Sequence, residues 1–334
     1  MRLQHFLCPD RYSQETPRSW SVVRTQGLAV TRCAESWRSL ATEGLLGLTT
    51  LSLLIWRRVE ELATLSLDSQ VELNYIVDFG GSVYLRIRNS RIYYETSGAG
   101  EPLLLLHGGF GTVEDFASQT PALAKHFKVV AFERPGHGHT ADTAEPFSFD
   151  TMSAYTIDFI ESLKLGAMNL VGWSDGAIIA LLVTISRPEL VRRLVSVGGL
   201  FNANSQSPED LNWIRSLTPE YFRKHMAALV GRYDEISPDG PAHFPVVFEK
   251  TKRLWLNEPN IAREDLAKIS APTMVMAGDR DAIPPEHTLE LFRSIKGAQL
   301  CIIPDTTHFL LSENPGMVNR AILEFLTVEG RLRS

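Results

Sequence analysis

The sequence predicts an α/β fold: a doubly wound, mostly parallel sheet with a helical cap inserted late in the chain. Three observations lead there. Apolar runs at Leu103–Leu106, Val129–Phe132, Met168–Val171 and Leu194–Val197 lack polar alternation, as parallel strands covered on both faces must. Segments between them, such as residues 150–165, carry helical apolar spacing, so strands and helices alternate. From about residue 200 to 268 the alternation stops and large side chains crowd in, among them Trp213, Tyr221, Phe222, Phe244, Phe248 and Trp255.

In chain order, residues 1–75 form an N-terminal extension, helical or disordered. Residues 76–199 and 269–334 form the sheet-and-helix core, and residues 200–268 form the cap. The core opens with an antiparallel pair near Tyr84–Arg88 and Arg91–Thr96, turned at Asn89-Ser90. Within the cap, Ser237-Pro238-Asp239-Gly240-Pro241 predicts a rigid turn. Two further buried strands are expected at Thr273–Ala277 and Gln299–Ile303.

The chemistry concentrates at strand ends. Gly172-Trp173-Ser174-Asp175-Gly176 follows one apolar run and opens another, the strand–turn–helix context of a nucleophile elbow. A serine on so sharp a turn has a strained backbone, and side chains two residues to either side would collide with it. Upstream, Leu103–Leu106 runs into His107-Gly108-Gly109-Phe110-Gly111. Acyl transfer builds negative charge on an oxygen, and the amides of Gly109 and Asp175 are the expected oxyanion donors. The strand ending at Ala277 leads into Gly278-Asp279-Arg280-Asp281, and the one ending at Ile303 leads to His308. Serine, acid, histidine is a recognised chain order for such a triad. His308 would take the Ser174 proton and a carboxylate would orient its ring. Asp281, further along its loop, is preferred for that role; Asp279 is the alternative, and the aspartate not used caps the turn.

From about Tyr84 to Leu326 the chain resembles the serine-nucleophile branch of the α/β-hydrolase superfamily. The oxyanion loop, the segment Phe132-Glu133-Arg134-Pro135-Gly136-His137-Gly138-His139, the elbow, and the acid and histidine loops match in order. The Trp-Ser-Asp-Gly form of the elbow is similar to the biphenyl-hydrolase-like (valacyclovirase-type) branch and to bacterial esterases and lactonases. That resemblance implies an α/β-hydrolase fold, a cap roofing the site, and a carboxylic ester or related acyl substrate. It also implies that Asp175 reads a substrate ammonium; the competing reading has Asp175 capping the helix it begins. Asp175, Phe110 and Trp173 are the candidate substrate-binding residues. Lactone opening, C–C bond hydrolysis and perhydrolysis use the same triad, and a ligand-binding protein on a retired hydrolase fold is the non-enzyme alternative. Ser174 argues against relatives that use an aspartate nucleophile.

His137 and His139 form an H-x-H pair, but no further ligands stand at zinc spacing, so no metal is expected. No organic cofactor is expected either, since nucleotide-binding glycine motifs are missing. The 334 residues suffice for one large domain. A 44% hydrophobic and 22% charged composition is that of a globular protein, and a net charge of −6 provides no basic field for nucleic acid. Three cysteines, Cys8, Cys33 and Cys301, build no disulfide framework, with Cys301 in an expected core strand. The apolar run Gly44–Trp56 is too short to span a bilayer. With its amphipathic continuation, residues 44–66 are expected to dock on the protein body or to be disordered, membrane-surface association being the alternative. The expected compartment is the cytoplasm.

Overall fold

The computed structural model describes residues 75–77, 83–203, 206 and 208–327. The readings made for the N-terminal extension, for residues 44–66 and for Cys8 and Cys33 lie outside the described residues.

Nine strands form one sheet: β1 (Tyr75–Val77), β2 (Val83–Ile87), β3 (Ser90–Ser97), β4 (Glu101–Leu106), β5 (Phe127–Phe132), β6 (Met168–Trp173), β7 (Val191–Val197), β8 (Thr273–Gly278) and β9 (Gln299–Ile303). Their spatial order is β1-β2-β3-β5-β4-β6-β7-β8-β9. The first three strands pair antiparallel and β3 joins β5 antiparallel; from β5 to β9 every pairing is parallel. Parallel neighbours need crossovers, so β4 and β6 lie side by side with all their chemistry at the same, C-terminal edge.

The hairpin turns one residue earlier than the sequence suggests. Ile87 pairs with Ser90, leaving Arg88-Asn89 as a two-residue loop, with Arg88 at φ 51°. Ser90 is a buried strand residue whose hydroxyl lies 3.3 Å from that of Tyr155.

Helices cover both faces. On one face lie α2 (Phe149–Leu163) and α3 (Asp175–Ser186), after the short α1 (Thr120–Leu123). Ser148 caps α2 by accepting from the Thr151 amide, and Lys164 ends it in the left-handed region at φ 53°. The α3 segment is apolar on every side and is buried almost throughout. Leu103 to Leu106 are 0% exposed, their side chains alternating between two core clusters on opposite faces of the sheet. The edge strand β9 is less covered than predicted: Leu300 and Ile302 are exposed and Cys301 is half-buried, because β9 pairs on one side only.

Between β7 and β8 stand α4 (Pro208–Ser216), α5 (Pro219–His225), α6 (Ala227–Ile236), α7 (Phe244–Asn257) and α8 (Arg263–Leu266). Leu217, Phe222, Val230, Tyr233, Phe244, Val247 and Phe248 make a third apolar cluster, and Phe110 from the core reaches into it. The turn at residues 237–241 is present, with Gly240 at φ 77°. After β8 the described residues form α9 (Pro285–Ser294), α10 (Leu310–Glu313) and α11 (Pro315–Thr327). No helix among the described residues is long and apolar enough to cross a membrane.

Candidate active site

The strand β6 delivers Ser174 into a sharp turn. Its backbone sits at φ 56° and ψ −121°, a conformation that costs a non-glycine residue roughly 1–3 kcal/mol. The turn is affordable only because its flanks are bare. A Cβ on Gly172 would stand 2.2 Å from the Gly176 carbonyl oxygen, and one on Gly176 would stand 2.0 Å from that of Leu106. The Ser174 amide donates to Val197 O at 2.8 Å, and Ser174 becomes the N-cap of α3.

The loops after β8 and β9 bring Asp281 and His308 to the same edge. Ser174 Oγ lies 2.9 Å from His308 Nε2, and His308 Nδ1 lies 2.8 Å from Asp281 Oδ1. With Nδ1–H donating to the carboxylate, Nε2 is left to accept from the serine hydroxyl. The Asp281 side chain is only 2% exposed, and Oδ1 also accepts from the Ile283 amide at 2.9 Å. Asp279 goes elsewhere: its Oδ1 accepts from the Thr306 amide at 3.1 Å and ties the two loops together. Backbone hydrogen bonds from Asp305 and Thr306 hold its carboxyl below the usual aspartate range.

Trp173 lies beside His308. Its indole donates to the His308 carbonyl at 2.9 Å and its ring stands against Phe309. Phe110 is buried, edge-on to Trp255 and packed with Phe222, Phe244 and Phe248. Asp175 is buried too, and α3 gains no side-chain cap at its start. Its carboxylate turns to the cap instead, accepting from Trp255 Nε1 at 3.0 and 3.2 Å. Burial pushes the Asp175 carboxyl up, while Arg134, Trp255 and His308 pull it down.

The oxyanion loop leaves β4 directly beside the elbow. A Cβ on Gly109 would come within 2.7 Å of Trp255 and 2.8 Å of the Asp175 carboxylate, so only glycine lets the loop lie this close to both. Behind the loop, His107, Glu133, Arg134 and His137 are fully or almost fully buried. Burial holds the His137 ring down to about 3, reinforced by the Arg134 cation. His137 and His139 part company: Nδ1 of His137 meets Pro135 O at 3.1 Å, whereas His139 binds the Glu133 carboxylate through its amide and its ring. No group of three possible metal ligands occurs among the described residues.

Sequence reasoning brought Ser174, Asp281, His308, Gly109 and Asp175 to one edge of the sheet, and the structure does the same. It gave no role to Trp255 or Arg134. An aromatic in a cap has no local signature of contact with an elbow about eighty residues back in the chain, nor does an arginine in a turn of contact with a glycine loop 27 residues before it.

Comparison with known proteins fits this geometry. The mouse (Mus musculus) serine hydrolase BPHL is 28% identical over 260 residues, spanning 73% of this chain and 86% of the relative. The (E)-2-((N-methylformamido)methylene)succinate hydrolase of Acinetobacter baylyi is 26% identical over 264 residues, spanning 72% of this chain and 97% of the relative. Among solved structures, a meta-cleavage product hydrolase from Pseudomonas fluorescens superposes with a TM-score of 0.63 at 24% identity, over 71% of this chain and 94% of that one. The enol-lactonase of Burkholderia xenovorans gives a TM-score of 0.59 at 20% identity, over 73% of this chain and 100% of that one. The structural likenesses speak for the fold. The model described as Alpha/beta hydrolase family matches residues 103–321, from the strand before the oxyanion loop to beyond His308. A match over that much of the chain, on the same strands and loops that hold Ser174 and His308, makes this protein a member of the alpha/beta hydrolase family.

Proposed function

We propose that this hydrolase cleaves a carboxylic ester of a small molecule through an acyl-enzyme on Ser174. The observation that carries the reading is the unbroken line from Ser174 Oγ through both ring nitrogens of His308 to the buried Asp281, at 2.9 and 2.8 Å. Ser174 Oγ attacks the ester carbon while His308 Nε2 takes its proton. The Asp281 carboxylate holds the ring and offsets the imidazolium charge. The oxyanion is met by the amides of Gly109 and Asp175. As the tetrahedral intermediate collapses, His308 returns the proton to the departing alkoxide. Water then repeats the sequence at the acyl-enzyme, releasing the acid and restoring Ser174. The cap, through Trp255 and the Phe110 cluster, sheds water from the site and shapes the acyl or alcohol pocket. Recognition of an ammonium by Asp175 would require the Trp255 indole to give way, and ester cleavage does not depend on it.

A second reading has support from the relatives' names: a lactone, or a C–C bond beside a ketone, attacked by the same serine. NMR of the products separates the two: an ester yields an acid and an alcohol, a lactone a single hydroxy acid, and C–C cleavage an acid and a fragment with a new C–H bond in place of the broken one. The decisive measurement is the initial rate on short-chain nitrophenyl esters for the wild type and Ser174→Ala. A loss of about 10³-fold or more is expected. Equal rates in the two proteins would refute the nucleophile assignment.

A further inference from the structure

Arg134 follows β5 and is 0% exposed. Burial lowers its pKa to about 10, with Asp175 and Asp115 opposing the shift, so the guanidinium is charged at neutral pH. Its two terminal nitrogens hold two consecutive carbonyls of the oxyanion loop: Nη1 donates to His107 O at 2.8 Å and Nη2 to Gly108 O at 2.9 Å. The Gly108 oxygen has two more donors, His107 Nδ1 at 2.8 Å and the Gly111 amide at 3.2 Å. The tautomer that lets His107 donate is set by Arg134 as well, whose backbone N–H donates to His107 Nε2 at 3.3 Å. Burial and the neighbouring cation hold that imidazole well below its ordinary pKa, keeping it neutral.

A trans peptide is planar and its N–H points opposite to its C=O. Pinning Gly108 O against the guanidinium therefore turns the Gly109 N–H away from Arg134. Because the His107 carbonyl is pinned to the same side, the amides of Gly108 and Gly109 face the other way together. Among the described residues, the Gly109 amide donates to no protein acceptor, and neither does that of Asp175. The Asp175 carboxylate, packed against Gly109, supplies countercharge to the buried cation.

We propose that Arg134, together with His107, is a positioning clamp for the oxyanion site. It fixes the direction of the Gly109 N–H before substrate arrives and makes no contact with substrate itself. The clamp rests on the ester-cleavage reading above and deepens it.

Paired oxo- and thiono-nitrophenyl esters test it. Replacing C=O by C=S puts a weak acceptor where the amides aim, so the oxo-to-thiono ratio of kcat/KM reports on that aim. Arg134→Lys, a point charge that cannot hold both carbonyls in one plane, should lower kcat for the oxo-ester about a hundredfold with KM within about threefold. The oxo-to-thiono ratio should shrink by about tenfold or more. A loss shared equally by both esters, a loss confined to KM, or no loss would overturn the clamp. Ser174→Ala is run beside it: if that variant keeps wild-type rates the ester reading itself fails, whereas an Arg134 failure alone leaves Ser174 in place. If circular dichroism shows Arg134→Lys unfolded, His107→Phe removes another donor to the same carbonyl and is read by the same ratio. Failure of both to fold would assign the network to stability alone and reject the clamp.

Discussion

The core and the cap reach the site in different ways. The core uses backbone: the ends of β4, β6, β8 and β9 carry the Gly109 amide, Ser174, Asp281 and His308 to one edge, and the central residues of β4, β6 and β8 are fully buried. The cap uses side chains. Trp255 grips Asp175, Lys250 and His243 converge on Asp142, and Arg232 reaches Asp115 and Thr112. Its outer surface leaves large residues in solvent, including Trp213 at 54% and Tyr221 at 40%. Backbone placement is rigid and tolerates little change, while side-chain contacts can be exchanged one at a time. On the function proposed above, the division of labour is chemistry in the core and choice of substrate in the cap. Core substitutions should act on kcat, cap substitutions on KM and chain-length preference.

The largest expected effect compares two aspartates two residues apart on the same core loop. Asp281→Asn keeps the shape but loses the charge that orients His308, and kcat should fall by about 10³–10⁴-fold. Asp279→Asn weakens the link to the Thr306 amide and should lower the urea midpoint slightly, with kcat within about threefold. Steady-state kinetics on both variants reads the contrast directly. Similar losses in the two would mean that the loop as a whole, and not one carboxylate, sets the rate.

The candidate residues behind that contrast are legible in the sequence because the rules that mark them are local. A glycine-flanked serine after an apolar run, a glycine loop after another, and an acid and a histidine past two later strands each announce themselves within about ten residues. Where the reading strayed, a non-local or a permissive choice decided. Asn tolerates positive φ, so Asn89 drew the hairpin turn to Asn89-Ser90, whereas sheet register gave it to Arg88-Asn89. The run Gln299–Ile303 is apolar enough for a central strand, yet β9 is at the edge because no later strand pairs with it among the described residues. Asp175 could be imagined on a helix N-terminus or on a ligand, but the sequence held no means of choosing Trp255 out of the cap's aromatics. Such pairings are fixed by how the cap lands on the core, and nothing in either segment alone encodes it.

Trp255 is where the division can be broken. Phenylalanine there keeps an aromatic ring beside Phe110 but removes the donor to the buried Asp175 carboxylate. Trp255→Phe should lower kcat/KM by about tenfold, mostly through KM, with the optimum ester chain length shifted. A series of nitrophenyl esters from acetate upward measures it. A pure kcat effect, equal for every chain length, would place Trp255 with the chemical machinery and make the core–cap division too simple.

The smallest expected effect tests the seam between the two regions. Phe201 begins the segment that leads into the cap; its carbonyl accepts from Ile261 N at 2.9 Å, and its amide donates to His287 Nε2 on α9 at 3.1 Å. The rings of Phe201 and His287 also stack, 4.3 Å apart. A protonated Nε2 would oppose the Phe201 N–H, and burial lowers the His287 pKa from 6.5 to about 4. From pH 6.5 down toward 4 the unfolded chain therefore binds a proton that the folded chain refuses. Stability is full above the unfolded value and is lost as pH falls, by up to about 1.4 kcal/mol per pH unit. Glutamine can accept from the same amide through Oε1 without titrating. Relative to His287→Gln, the wild type should lose roughly 1–2 kcal/mol between pH 7 and pH 5, measured from urea midpoints. Other buried groups, His107, His137 and Asp175 among them, titrate alike in both proteins and cancel in the difference. Parallel pH profiles would mean that stacking on Phe201 alone holds the seam. A steeper wild-type profile with kcat unchanged at pH 7 would put the acid sensitivity at the base of the cap and keep the chemistry in the core.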